Sequence, residues 1–268
     1  LAINIVDRSY AELLKPLDYN QAAPPLFLWL EKLAVQILGN NEYALRLFPL
    51  ISGIIALGLF YKLAVRFTSG IATPIAIALF ASLKFTVYYS AEVKTYASDV
   101  MVALILFLLL RANSRLTLPG KNIIFLSLIG AVSIWISYPS IFILSGVELV
   151  FLLGSPFSKL PKILLHRLPI YASWLLSFVG LYLATIVPTM TNDNLVSSWN
   201  RRYPNSPLDI IWLLDSFGRF FHTPLGFWSI TDGIAMIAFV TGCIALYRHF
   251  KTLPLINLLK SIKRINII

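Results

Sequence analysis

The sequence predicts an all-α fold, a polytopic membrane helix bundle with interfacial helices in its first outer loop. The chain has 268 residues, of which 58% are hydrophobic and only 13% are charged, and its mean hydropathy is +0.78. A soluble domain is nearer one-half apolar and one-quarter charged, so this chain has more apolar surface than one core can bury. The surplus falls into separate runs of helical length, which indicate several membrane spans.

The first part of the chain, residues 1–44, is predicted to be a loop on the outer face of the membrane. Apolar residues recur at helical spacing over residues 1–14, which predicts an amphipathic helix. Residues 17–25 are predicted to form a loop, because Pro24-Pro25 cannot lie inside a helix. Residues 26–38 are apolar but short and carry charges near their centre, which is typical of a helix lying in the membrane interface.

About seven spans are predicted in residues 45–247 of what is taken as a single transmembrane domain, residues 1–268. The spans are residues 45–67, 71–89, 97–110, 123–136, 141–153, 168–187 and 234–247. Several are shorter than the roughly 20 residues that a perpendicular span needs, so their edges are approximate. An outer loop at 191–231 separates the last two spans. Residues 248–268 are predicted to form a basic cytoplasmic tail. This tail is either an interfacial helix or the end of a truncated reading frame.

The charges orient this bundle. Four segments that fall on the same side contain many Lys and Arg but no acid, namely residues 62–70, 111–121, 154–167 and 248–268. All acids except Glu148 lie on the other side, so the basic side is predicted to be cytoplasmic. The chain is therefore expected to be a multi-pass protein of the plasma (inner) membrane, with its active face on the periplasmic or extracellular side. The net charge of +10 is split among short loops, which disfavours nucleic-acid binding.

A polar island, defined as residues 88–99, separates the second and third predicted spans. Charged groups at the end of an apolar run cost free energy unless they pair, reach water or bind a ligand. The island is interpreted in two ways. It is a solvated turn with tyrosines in an aromatic belt, or it is a phosphate or sugar site. In the second interpretation Lys94 holds phosphate and Glu92 accepts hydroxyls or a metal.

Two other outer segments are candidate binding elements. The stretch from Asp18 to Pro25 is equally consistent with a simple turn and with a rigid lip at the membrane surface. The pair Arg201-Arg202, flanked by aromatic residues, suits either anionic lipid head groups or the phosphate of a lipid-linked substrate. His222 alone is more often structural than a metal ligand. A single cysteine, Cys243, excludes an internal disulfide.

Three motifs, in this order, resemble the multi-spanning C-type glycosyltransferases. The motifs are LDYNQAAPPLFLWLEKL at residues 17–33, GNNEYALRLFPLISG at 39–53 and YYSAEVKTYASDV at 88–100. The superfamily comprises the dolichyl-phosphate-mannose protein mannosyltransferases and the bacterial aminoarabinose transferases. The resemblance covers residues 1–110 well and the later spans only in pattern.

The resemblance implies transfer of a sugar from a polyprenyl-phosphate carrier to an acceptor glycan, lipid or protein on the outer face. In the superfamily an Asp-Glu pair opens the first outer loop, and its Asp is the general base. That pair is expected upstream of Leu1, so the chain is expected to be an N-terminally truncated fragment, with no catalytic residue assigned in residues 1–268. The residues implied to bind donor are Asp18, Gln21, Tyr89, Glu92, Lys94, Tyr96, Arg201 and Arg202.

A divalent metal is left open as a cofactor. Relatives often place an acid or His near the proline pair, proposed to hold the metal, whereas this chain has Asn20-Gln21-Ala22-Ala23 there. No metal ligand is therefore assigned.

Two other functions stay open at this stage. A transporter or flippase of lipid-linked or anionic substrates needs polar groups on broken helices near the bilayer midplane. Lys84 and Glu148 are the only candidates for such groups, and neither has a partner that the sequence names. A non-catalytic membrane scaffold is the third hypothesis, and it predicts that alanine at Glu92 and Lys94 leaves donor-lipid binding intact.

Overall fold

The computed structural model describes residues 1–193, 195, 197, 206, 209–222, 240 and 244. These residues are mostly helical and contain no strand, which confirms the predicted all-α bundle. The α-helices in chain order are α1 (Ala2–Asp7), α2 (Pro25–Leu38), α3 (Glu42–Phe67), α4 (Ala72–Ser82), α5 (Lys84–Ser90), α6 (Tyr96–Ala112), α7 (Gly120–Ile136), α8 (Ser140–Leu153), α9 (Leu160–Leu181), α10 (Val187–Met190) and α11 (Ile210–His222).

The chain divides into two compact units. The first contains Leu1–Ser82 and Thr86–Asn200, and the second contains Leu83–Phe85 and Arg201–Ile268. In the second unit, α11 lies within the stretch predicted to be an outer loop. Its N-terminus is capped by the Asp209 carboxylate, which accepts a hydrogen bond of 3.0 Å from the Trp212 amide.

Within the described residues, two helical stretches are long and apolar enough to cross a membrane, namely Glu42–Phe67 and Phe157–Met190. The pair α4 and α5 is a third candidate, bent by 52° at its break. α7 and α8 are shorter apolar helices, of 17 and 14 residues. The helices α3 to α9 overlap the first six predicted spans. The seventh, at 234–247, lies outside the part of the chain that the structure describes, apart from residues 240 and 244.

The main core of the first unit is built around α6, which packs against α3, α7 and α8. The buried residues of this core are Ala56, Met101, Val102, Leu106, Leu110, Leu118, Leu126, Ile134, Leu144, Ile170, Trp174 and Leu181. Large apolar side chains are also exposed on the outside of the bundle, for example Phe142, Leu153 and Leu176. An apolar exterior around an apolar core is what a bilayer solvates.

α7 and α9 are joined by close packing and by hydrogen bonds. The indole of Trp174 donates to the Leu126 carbonyl at 2.9 Å, and the Ser177 hydroxyl donates to the Ala131 carbonyl at 2.8 Å. Gly130 lies directly under the indole, where an added Cβ would overlap the ring. Lipid tails are as apolar as side chains, so helices in a membrane associate through such small residues and polar contacts.

A buried ion pair closes the basic end of the bundle. The Arg167 guanidinium donates to both carboxylate oxygens of Glu148, at 2.7 and 2.9 Å, and to the Asn113 carbonyl at 2.6 Å. The Tyr171 hydroxyl also donates to Glu148, at 2.8 Å. The sequence left Glu148 without a partner and counted Arg167 as a residue of the basic flank. The structure pairs them, because α9 extends to Leu160 and carries Arg167 inside the bundle.

The predicted amphipathic helix over residues 1–14 is wrong in extent. α1 stops at Asp7, Arg8 is extended (φ −93°, ψ 147°), and a 3-10 turn follows at Glu12–Leu14. The carboxylate of Glu12 accepts hydrogen bonds from the amide and hydroxyl of Ser9, at 2.8 and 2.7 Å. These local side-chain bonds compete with the helical ones and end the helix.

Candidate active site

Residues 1–45, named the outer segment after the face predicted from the charges, fold around their own small core. Its buried residues are Ile5, Leu13, Leu17, Ala23, Phe27, Leu28 and Leu45. Val93, from the polar island, packs against the same residues. The sequence predicted that the first segment and the island share one face of the membrane. The structure places them in direct contact.

The Asp18 loop is held by polar contacts within the outer segment. The Asp18 carboxylate forms an ion pair with Arg8 at 2.8 Å, and its amide donates to the Asn4 side chain at 3.0 Å. The amide group of Asn4 donates to Gln21 Oε1 at 3.4 Å. Tyr19 adopts a left-handed conformation, with φ of 62°, which marks a tight turn. These contacts favour the simple-turn interpretation, and a substrate-binding role for Asp18 and Gln21 stays a prediction.

The same contacts test whether the loop can hold a divalent metal. The only carboxylate of the loop, Asp18, is neutralised by Arg8, and the Gln21 oxygen is shared with Asn4. Within the described ranges, no group of three or more His, Cys, Asp or Glu side chains converges. Hard cations prefer several carboxylate or carbonyl oxygens, so the residues of this loop do not fit a metal.

The centre of the polar island, residues 91–95, is irregular backbone between two helices. α5 ends at Ser90 and α6 begins at Tyr96. Lys94 is exposed, and its ammonium lies 5.9 Å from the centre of the Tyr89 ring. The rings of Tyr89 and Tyr96 lie 4.3 Å apart. An aromatic pair therefore supports the lysine while leaving its charge accessible, which suits an anionic ligand.

Glu92 is half-buried in the same stretch, and its carboxylate forms no ion pair with Lys94. Its backbone carbonyl instead accepts a hydrogen bond from the Lys94 amide at 2.8 Å. The two side chains are thus independent groups, one acidic and one basic, at neighbouring points of the island. Such a pair can contact a sugar hydroxyl and a phosphate of one ligand at the same time.

The start of α1 and the polar island pack against the same buried residues. Leu1 and Val93 are both partly buried against this core.

Asp99, the last residue of the island, forms a second polar layer with Ser137 from the turn between α7 and α8. Asp99 accepts a hydrogen bond from the Thr95 hydroxyl at 3.1 Å through one oxygen, and its other oxygen is buried without a partner. Ser137 faces this carboxyl, but the geometry falls short of a hydrogen bond and its hydroxyl is also unpartnered. The sequence alone did not identify Ser137 as a candidate site residue. The pattern that could have indicated it is the Ser-Tyr-Pro-Ser turn between two apolar runs.

Tyr138, from the same turn as Ser137, connects this turn to the outer segment by a hydrogen bond. Its hydroxyl donates to the Ala23 carbonyl at 2.9 Å. Burial raises the pKa of Tyr138 to about 12, so the phenol stays protonated and remains a donor at neutral pH. The turn thereby fixes the position of the proline pair that begins α2.

Glu31 is a buried carboxyl on α2. It has no exposed surface, and neither of its oxygens has a hydrogen-bond partner. Burial raises its pKa to about 8, so the group is mostly protonated at neutral pH. The sequence used the charge of Glu31 only as a sign that α2 is interfacial, and its burial was not foreseen.

The remaining predicted binding residues, Arg201 and Arg202, lie outside the described residues. The structure therefore brings Tyr89, Glu92, Lys94 and Tyr96 together in one island. It places Asp18 and Gln21 in a separate, internally bonded loop.

The helices, the apolar exterior and the polar end define a multi-pass membrane protein. A sequence model of the family described as dolichyl-phosphate-mannose-protein mannosyltransferase matches residues 22–187, which contain α2 to α9, the polar island and the Ser137 turn. The chain belongs to this family, which is one of glycosyltransferases, and the resemblance is confirmed. No curated protein and no solved structure matches the chain.

Proposed function

We propose that this protein takes part in sugar transfer from a polyprenyl-phosphate carrier to an acceptor on the outer, periplasmic or extracellular, side of the membrane. In this reaction a base removes the proton of an acceptor hydroxyl, and the hydroxyl oxygen attacks C1 of the sugar. The bond from C1 to the phosphate oxygen breaks, and polyprenyl phosphate leaves with the negative charge. A cation near that oxygen stabilises the charge as it develops.

Lys94 is the residue that we assign to the phosphate. It is exposed, it lies against the Tyr89 ring, and Glu92 does not neutralise it. This accessible cation next to an aromatic pair is the observation that carries the proposal. Glu92 and Tyr96 are assigned to the sugar or phosphate from the same stretch.

We assign no general base among residues 1–268. The roles proposed for these residues are donor binding and stabilisation of the leaving phosphate.

The proposal is tested by donor binding. Purified protein in nanodiscs is titrated with polyprenyl-phosphate mannose, and wild type is compared with Lys94→Ala and Lys94→Arg. A charge-assisted contact contributes about 1.5–3 kcal/mol, so Lys94→Ala should weaken binding by about tenfold or more. Lys94→Arg should retain most of the affinity, because it keeps the positive charge.

Lys62→Ala is the matched control. Lys62 is also an exposed lysine, but it lies near the C-terminal end of α3, in a predicted cytoplasmic segment. Its removal should leave the dissociation constant unchanged. Equal affinity of wild type and Lys94→Ala would refute the phosphate assignment and favour the scaffold hypothesis.

A further inference from the structure

Four exposed cations lie at the basic end of the bundle, on the segments from which α7 and α9 begin. They are Arg115, Lys121, Lys159 and Lys162, together named the basic patch. Within the described residues, none of these four side chains forms an ion pair. They differ in this from the Arg167 guanidinium, which the Glu148 carboxylate neutralises. The charge of the patch is therefore available to a ligand.

Hydrogen bonds hold together the two segments that carry the patch. A ring nitrogen of His166 lies 2.9 Å from the Leu118 carbonyl oxygen and 3.0 Å from its amide nitrogen. The buried guanidinium of Arg167 donates to the Arg115 carbonyl at 3.1 Å. Arg115 and Lys121 each lie three residues from Leu118, so their backbones are at most about 11 Å from it. Both cations are thus held close to the start of α9.

The other two cations lie on the face of α9 that meets this segment. Lys162 and His166 are four residues apart in α9, so they share one helix face, one turn after the other. Lys159 precedes the helix directly and is three residues before Lys162. His166 in turn contacts Leu118. The patch is therefore one cluster around this contact, and its four charges are not scattered over the surface.

The position of these charges favours an anion. Lys121 lies in the first turn of α7, and Lys162 lies in the first turn of α9. The N-terminus of a helix carries a partial positive charge, so a lysine there is repelled unless an anion neutralises it. Neither first turn contains an acidic residue. An anionic ligand would offset this repulsion at both helices.

Large apolar side chains are exposed beside the patch, and they distinguish a lipid from a soluble anion. Phe157, two residues before Lys159, is 88% exposed, and Leu153 and Leu165 are 77% and 73% exposed. At a membrane surface such side chains enter the boundary between head groups and acyl chains, while neighbouring lysines reach the phosphates. A soluble phosphate would contact the cations but would leave the apolar side chains in water.

We propose that the basic patch binds the head group of an anionic phospholipid, with its phosphate on Lys159 and Lys162 and its acyl chains against Phe157. The lipid belongs to the leaflet at the basic end, which the charge pattern predicts to be cytoplasmic. This site is separate from the one proposed for the sugar donor, because Lys94 precedes α6 and Arg115 follows it. The inference therefore does not rest on the proposed function.

Lipid binding to the purified protein in detergent, followed by native mass spectrometry, tests the site. Dioleoyl phosphatidylglycerol and dioleoyl phosphatidylcholine have the same acyl chains, so the ratio of their dissociation constants reports the head group. Each lysine near an anionic lipid surface strengthens binding about fivefold. The double variant Lys159→Gln/Lys162→Gln should therefore bind phosphatidylglycerol about 25-fold more weakly, with phosphatidylcholine unchanged. Lys159→Arg/Lys162→Arg should keep the preference of wild type, because it keeps both charges.

Lys15→Gln/Lys62→Gln is the matched control, since it removes two exposed lysines that lie outside the patch. This control should keep the wild-type preference for phosphatidylglycerol. An equal loss in the two glutamine variants would reveal a general effect of net charge and would overturn the site. Equal affinity of wild type for the two lipids would overturn it as well.

Soluble glycerol 3-phosphate separates a lipid from a free anion. It carries a phosphate but no acyl chain, so a large excess should leave phosphatidylglycerol bound. Phe157→Ala should weaken both lipids alike, because it removes an apolar contact and no charge. Displacement of the lipid by glycerol 3-phosphate, together with no effect of Phe157→Ala, would identify a soluble anion as the ligand and refute the lipid assignment.

Photo-labelling locates the lipid independently. A phosphatidylglycerol with a photoreactive head group should label peptides that contain residues 113–121 or 157–166. Labelling confined to the polar island, residues 88–99, would contradict the inference. Neither experiment measures donor binding at Lys94, so this inference and the proposed function can fail separately.

Discussion

The carboxyl of Glu31 should make the packing of α2 depend on pH. In the folded protein its pKa is about 8, against 4.5 as its ordinary value, because the group is buried without a partner. Two states are compared, a closed state with α2 packed on the bundle and an open state with α2 locally unfolded. Below pH 4.5 Glu31 is protonated in both states, so it adds no pH dependence to the free energy of opening. Between pH 4.5 and 8 the open state releases the proton while the closed state keeps it. Stability therefore falls as the pH rises, and it stops falling above pH 8.

The size of the effect follows from the two pKa values. Each pH unit within that window costs the closed state roughly 1.4 kcal/mol. Between pH 5 and pH 7 the free energy of opening should therefore fall by roughly 2.5 kcal/mol. Glu31→Gln cannot ionise, so the same free energy should stay constant over this interval.

Hydrogen exchange of the α2 amides measures this free energy directly. The exchange rates are corrected for the intrinsic effect of pH, and opening free energies are compared at pH 5, 6 and 7. Glu42→Gln is the control, since Glu42 is exposed and its ion pair with Arg46, at 3.2 Å, contributes little. If wild type and Glu31→Gln show the same pH slope, the burial of an unpartnered Glu31 is wrong.

Three further predictions concern the packing of the bundle. Gly130→Ala should destabilise the protein by about 1–3 kcal/mol through overpacking, whereas Gly146→Ala has open space and should change the melting temperature little; similar shifts in both variants would contradict the close approach at Gly130. Arg167→Met should cost about 3–5 kcal/mol, because it leaves the Glu148 carboxylate buried and unpaired. Adding Glu148→Leu should recover part of that loss, and a strictly additive double-mutant cycle would show that the two side chains do not interact. Tyr138→Phe should reduce the protection of loop amides near residue 23 by about 1 kcal/mol, as measured by hydrogen exchange, and unchanged protection would exclude the observed hydrogen bond.

The sequence predicted the helical bundle and its apolar runs well, because hydropathy is a local property of the chain. It also selected the polar island, because charges beside an apolar run are visible in one dimension. Helix ends were harder to predict: α1 stops early at a local Ser9–Glu12 hydrogen bond, and α9 begins before its apolar run.

Contacts between distant residues could not be predicted from one sequence. Glu148 and Arg167 are 19 positions apart, and their pairing depends on how α8 and α9 pack. The burial of Glu31 depends on the position of α2 against α1 and α3, which no local pattern encodes. The grouping of Ser137 with Asp99 likewise exists only in three dimensions.

The two buried acids of the first unit, Glu31 and Glu148, and the half-buried Asp99 differ in how their oxygens are paired. At the basic end, Glu148 has both oxygens bonded to Arg167 and a further bond from Tyr171, so its charge is compensated. At the other end, neither oxygen of Glu31 has a hydrogen-bond partner. Asp99 has a partner for only one of its two oxygens. Buried polar atoms are nearly always satisfied in native proteins, so an unpartnered acid needs a reason beyond folding. Asp99 belongs to the polar island, and Glu31 lies on α2, whose residues Phe27 and Leu28 share a core with Val93. Glu148, in contrast, lies on α8 and pairs with Arg167 of α9. We therefore propose that Glu31 and Asp99, whose carboxyl oxygens lack partners, are better candidates for contact with a polar ligand than Glu148, whose two oxygens are both bonded.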